Sequence, residues 1–168
     1  MKAERILVPL DGSPLAERAL PNALELLSDG PGATLILLRA AEARTLPGVD
    51  PIEAQVAVIQ DAESYLDAVA DRLREQGIKE VVTSVWYSSA AKAIVEAAQV
   101  RRVDLIVMST HGRSGLGRAL RGSVAESVLR RTRTPILLVS AGGEVEMTSG
   151  VRADALSSAG PLGPSRPW

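Results

Sequence analysis

The segment Ser109-Thr110-His111-Gly112-Arg113-Ser114-Gly115-Leu116-Gly117-Arg118-Ala119-Leu120-Arg121-Gly122-Ser123 gathers the residue types that hold an oxyanion. Glycines let backbone N–H groups approach a ligand, hydroxyls donate to phosphate oxygens, and guanidinium forks pair with phosphate. Residues 101–140 contain 8 Arg, no Lys, and only Asp104 and Glu126 as acids, whereas residues 1–100 carry 9 basic and 15 acidic side chains. The net charge of −1 therefore conceals a local basic segment. A second cluster, Pro9-Leu10-Asp11-Gly12-Ser13, closes an apolar run with turn chemistry, and Ser13-Pro14 reads as a helix N-cap followed by proline at the first helical position.

Several other chemistries are excluded by composition. With no cysteine there is no thiolate nucleophile and no Cys-based metal site, and His111 as the one histidine rules out a mechanism needing two imidazoles in one chain. The chain has two Trp and two Tyr, none inside the basic segment, so stacking platforms for nucleic acid are missing and no nucleic-acid partner is expected. Gly112 and Gly117 have the spacing of a Walker A loop, but Arg118-Ala119 follow where Lys and Ser or Thr are required. Gly115-Leu116-Gly117 opens a dinucleotide fingerprint whose third glycine position is Leu120.

The elements that must position these residues follow from periodicity. The chain has 168 residues, 46% hydrophobic and 23% charged, which suits one globular domain. No apolar run approaches the 18 or so residues of a membrane span, and no secretory signal precedes the first strand, so a cytoplasmic protein without a membrane partner is expected. Apolar runs at 5–10, 34–38, 80–85, 103–108 and 135–139 read as strands. Between them lie a helix from Ser13 kinked at Pro21, a long amphipathic helix through Ile52, Val56, Ile59, Leu66, Val69 and Leu73, one begun by Ser88 or Ser89, and one from Ser123 to about Arg131. The first, fourth and fifth strands are apolar without alternation, as strands covered on both faces are. The fold class is thus α/β, a single open five-stranded parallel sheet with helices on both faces, over residues 1–141. Residues 142–168, rich in Gly, Pro and Ser, are expected to be a disordered tail.

In such sheets ligands sit beyond the C-terminal strand ends, where strand order reverses, and the loop after the fourth strand is there. Val8-Pro9-Leu10-Asp11-Gly12-Ser13 together with Met108-Ser109-Thr110-His111-Gly112, nine residues, then Gly122-Ser123-Val124-Ala125-Glu126, resembles the universal stress protein (UspA) family in its ATP-binding branch, over about residues 3–140. The resemblance implies a Rossmann-like sheet of order 3-2-1-4-5, similar to adenine nucleotide alpha hydrolases, and a homodimer with ATP across the strand ends, Mg²⁺ or Mn²⁺ bridging its phosphates. By position it implies that Pro9, Asp11 and Ala40 border the adenine and Met108 lines the nucleoside pocket. Gly112 would approach the phosphates, and Gly122, Ser123 and Val124 would hold them. Ser109 stands where the family pattern has its first glycine, and Ser88 where a glycine often follows the third strand.

The expected function is an ATP-binding, nucleotide-responsive regulatory homodimer in stress response, with at most slow ATP hydrolysis. Its copies would pair through the uncharged fifth strand, which ends the sheet in that order. Two rivals stand beside it. One is a partner-binding dimer with a vestigial phosphate loop, engaging a protein the sequence does not name; the other is a true ATP-hydrolysing or phosphotransfer enzyme, for which no lysine or spare carboxylate stands in the loop. Ser123 with Glu126 also fits a capping box that serves the helix alone.

Overall fold

The computed structural model describes residues 2–43, 47–48, 50–110 and 123–148. Its strands are β1 (Arg5–Pro9), β2 (Thr34–Ala40), β3 (Val81–Trp86), β4 (Leu105–Thr110), β5 (Ile136–Ser140) and β6 (Val145–Thr148). They form one sheet in the order β3-β2-β1-β4-β5-β6, parallel from β3 to β5 and antiparallel at β6. The helices are α1 (Pro14–Glu17), α2 (Ala19–Leu26), α3 (Pro51–Glu75), α4 (Ala90–Val100) and α5 (Ser123–Leu129).

Alternation along each strand sends side chains into two apolar layers. Ile6, Val8, Leu35, Leu37, Leu105 and Val107 meet α2 and α3, whose contributions include Ala19, Ala23, Leu66 and Val69. Leu7, Ile36, Leu38, Ile106, Met108, Ile136 and Leu138 meet α4 and α5. Both faces are covered, so both parities must be apolar, and the continuous runs of β1, β4 and β5 follow. From β1 the chain moves outward through β2 to β3, then returns to add β4 on β1's other side; the reversal lies between β1 and β4. At the opposite end of that seam, Asp104 Oδ2 accepts from the backbone N–H of Glu4 at 3.1 Å and of Arg5 at 2.8 Å.

Three expectations are corrected. The first helix is not one kinked helix but two, α1 and α2, broken at Arg18. Pro21 has no N–H to give the Glu17 carbonyl four residues back, so the ladder restarts, with Arg18 N–H closing a tighter turn on Leu15 O at 3.1 Å. The second correction concerns the start of the expected tail. Residues 145–148 form β6 on β5, pairing Val139 with Val145, Leu138 with Glu146, Leu137 with Met147 and Ile136 with Thr148. A turn makes this possible: Gly143 N–H donates to Ser140 O at 2.9 Å, Ser140 N–H to Glu144 O at 2.8 Å, and Gly143 has φ +86°. Third, the sheet has six described strands instead of five, so β5 is not its edge.

Candidate functional site

A cavity of about 400 Å³ opens at the C-terminal strand ends, over the reversal between β1 and β4. β1 delivers Pro9 and, just past its end, Asp11; β2 delivers Arg39 and Ala40; β4 delivers Met108, Ser109 and Thr110; the start of α5 delivers Ser123 and Val124. Parallel strands with matched registers bring these ends level, which is why residues up to 115 positions apart share one wall. Leu38, Ile94 and Ala125 supply apolar lining.

The turn after β1 is built by its own side chains. Asp11 Oδ1 accepts from Ser13 N–H at 2.9 Å, and Ser13 Oγ accepts from Ala16 N–H at 3.2 Å, capping α1. Between them Gly12 has φ +88°, a conformation that costs a side-chain-bearing residue energy. Ser109 Oγ donates to Ala16 O at 3.4 Å, so its hydroxyl is turned onto α1. Glu126 Oε1 accepts from Arg130 Nη2 at 2.6 Å, an i,i+4 pair between α5 and the residue just past its end, and Ser123 is the first helical residue.

Seven residues singled out from the sequence, Pro9, Asp11, Ala40, Met108, Ser109, Ser123 and Val124, line this single cavity. Gly112 and Gly122 lie outside the described residues, as do His111, Arg113, Arg118 and Arg121. Sequence reasoning missed Arg39. Its guanidinium lies 3.6 Å from where a Cβ on Gly12 would be, pairs with Asp61 of α3 at 2.8 Å, and sits 5.0 Å from the centre of the Tyr65 ring. Tyr65 Oη donates to Glu17 Oε1 at 3.0 Å, and Arg72 holds Glu17 Oε2 at 2.7 Å. Burial, the bond to Glu17 and the nearby carboxylate charges push the Tyr65 phenol well above its ordinary pKa, so it stays a donor at neutral pH. This network ties the floor of the turn to α3. The one sequence signal for it is a lone charge inside the apolar run Leu35 to Ala40.

An open, mostly parallel sheet with a cavity where strand order reverses defines a doubly wound α/β domain. The model of the Universal stress protein family matches residues 2–140, and the chain belongs to that family. It is similar to Universal stress protein MJ0531 of Methanocaldococcus jannaschii, 30% identical over 141 residues that cover 81% of each protein. The solved structure of MJ0577 from the same organism superimposes with a TM-score of 0.70 at 27% identity, covering 83% of this chain and 97% of that one. A universal stress protein solved in complex with cAMP shares the fold, with a TM-score of 0.62 at 24% identity over 83% of this chain and 98% of its own. No described helix is long and apolar enough to cross a membrane.

Proposed function

We propose that this protein binds ATP in the cavity between β1 and β4 and acts as a nucleotide-responsive regulatory module of the universal stress protein type. The observation that supports this reading best is the convergence of Pro9, Asp11, Ala40, Met108, Ser109, Ser123 and Val124 on one cavity at the switch point. Apolar walls from Leu38, Ile94 and Met108 suit a purine, and Asp11 stands at its polar rim. At the other end lie Thr110 and Ser123, the anchor points of the glycine- and arginine-rich segment that would carry the triphosphate.

Among the described residues no group of three or more His, Cys, Asp or Glu side chains could hold a metal. A Mg²⁺ or Mn²⁺ ion accompanying ATP would supply charge neutralisation, and nothing in the reading depends on a protein-bound metal. Hydrolysis is expected to be slow. Fast phosphoryl transfer needs a group that orients the attacking water, and between Asp104 and Glu126 the sequence has no acid. Asp11 is engaged in its own turn, and Glu126 in its pair with Arg130.

The deciding experiment is mass spectrometry of the purified protein under non-denaturing conditions, followed by thermal melting with and without ATP. ATP at 100 times its dissociation constant should stabilise the fold by about 2.7 kcal/mol. An ATP-free protein whose melting does not move with saturating nucleotide would turn the reading toward the partner-binding class.

A further inference from the structure

The free edge of the sheet at β3 carries an inference that does not depend on the nucleotide reading. β3 pairs with β2 and with no other described strand. Its six residues, Val81-Val82-Thr83-Ser84-Val85-Trp86, include no charge and no proline, so the strand itself lacks the devices that blunt an edge. The ladder fixes which backbone groups face outward. Leu35 N–H donates to Glu80 O and Ala41 N–H to Trp86 O, so Glu80, Val82, Ser84 and Trp86 turn their groups toward β2, and Val81, Thr83 and Val85 turn theirs away. Arg74 covers one of these by donating to Val81 O at 2.9 Å. The backbone N–H and C=O groups of Thr83 and Val85 have no partner among the described residues.

Beside this edge, on the face of the sheet that α4 packs against, lies a groove of about 350 Å³ whose lining includes Val82, Trp86, Val100, Arg5 and Arg101. Both arginines are exposed, and neither pairs with a carboxylate among the described residues. Arg5 Nη1 donates to Arg101 O and Arg101 Nη2 to Ser84 Oγ, each at 3.5 Å, the outer limit of a hydrogen bond, so most of their donors stay open. Asp104, an acid at this end of the sheet, is engaged with the amides of Glu4 and Arg5.

We infer that the outer edge of β3 is a docking site for an extended segment of a partner protein, which adds as an antiparallel strand and sets an acidic side chain opposite Ser84. Backbone pairing supplies the attachment, and the groove supplies the choice of side chain. The Cβ of a residue opposite Ser84 stands about 4.5–5.5 Å from the Ser84 Cβ on the same face, which puts a carboxylate within reach of the Arg101 guanidinium. The other face asks for something different. There Thr83 Oγ1 donates to Asp67 Oδ1 at 3.3 Å, so the residues opposite Thr83 and Val85 meet an acid and should not be acidic themselves. A second copy of this chain fits the edge less well. Two β3 strands paired antiparallel about a two-fold axis normal to the sheet keep their faces, so both Arg101 side chains would meet on one face, and β3 has no acid to offer them.

Selection of random displayed peptides, each about ten residues long, against the full chain, followed by titration calorimetry of those recovered, tests this. The recovered peptides should share one Asp or Glu between β-branched or aromatic neighbours. In an antiparallel pair the residues opposite Thr83 and Val85 exchange both backbone bonds with them, whereas the N–H of the residue opposite Ser84 points away. N-methylation of either neighbour of the acid should therefore lower affinity about fivefold or more, and N-methylation of the acid itself should change it little. Arg101→Glu should weaken the acidic peptides about tenfold or more and favour the same peptides with Lys in place of the acid. Saturating ATP should leave both results unchanged, which separates this edge from the cavity between β1 and β4. Recovery of no binding peptide overturns the inference, as does binding indifferent to Arg101→Glu or lost on methylating the acid but not its neighbours. Thr83→Pro removes an outward N–H without touching a bond to β2. Self-association of the full chain that is abolished in a folded Thr83→Pro variant would give the edge to a second copy and overturn the inference too.

Discussion

At the scale of single residues, the walls of the cavity are set by small polar contacts whose loss should be read in affinity more than in stability. Asp11 sits at the rim assigned to the base, so Asp11→Ala should weaken ATP by about tenfold while leaving inorganic triphosphate binding unchanged, since a hydrogen bond to a charged group contributes about 1.5–3 kcal/mol. Titration calorimetry with both ligands checks this. Equal losses for the two would remove Asp11 from the base end. Gly122→Val should cost ATP about tenfold or more in the same titration by placing a branched side chain where phosphate must meet backbone. For Arg39→Met the expected loss of stability is under about 1 kcal/mol, because its partner Asp61 is largely exposed. ATP affinity should fall several-fold as the floor under Gly12 loosens. Asp11, Gly12 and Ser13 were legible in the sequence because turn residues announce themselves locally. Arg39 was not, because its partners Asp61 and Tyr65 stand 22 and 26 positions away on α3.

At the scale of elements, α3 divides into a half that stabilises the fold and a half that does not. Leu66 is fully buried against the sheet, and Leu66→Ala should cost about 2–5 kcal/mol in urea denaturation. Ile52, 72% exposed at the other end of the same apolar stripe, should tolerate alanine within about 0.5 kcal/mol. Asp50 caps this helix by accepting from Ile52 N–H at 2.7 Å, and Asp50→Ala should cost about 0.5–2 kcal/mol. Comparable losses at Leu66 and Ile52 would mean that the exposed half is covered in solution. The periodicity of α3 predicted both halves as one core face, because spacing reports which face is apolar and not where the sheet beneath it ends. The strands of the parallel sheet were legible for a related reason: burial on both faces forces unbroken apolar runs. β6 has no buried face. Its Val145 and Met147 alternate with Glu146 and Thr148 but end at the rim, and Gly142-Gly143 before it resembles the start of a tail as much as a hairpin turn.

At the scale of the whole molecule, the proposed site holds ATP with few groups to act on it, and turnover should fall far below the roughly 1–100 per second of kinases. A coupled phosphate-release assay reads this directly. Several turnovers per second, abolished by Gly122→Val, would make the protein an enzyme. The seam that creates the cavity also sets an order of events during synthesis. β1 is the middle of the sheet, yet one of its sides waits for β4, and the Asp104 carboxylate that grips the amides of Glu4 and Arg5 is encoded about 100 residues later. At about 5–20 residues per second, a nascent chain that has zipped β1 to β2 and β3 carries one bare flank of Ile6 to Val8 for about 1–4 seconds before β4 is made. The half-sheet made in that interval is an apolar ribbon with an open centre. A ribosome stalled before residue 104 should therefore hold a chain that trigger-type chaperones grip at its first strand, and they should let go once residues 105–110 have emerged.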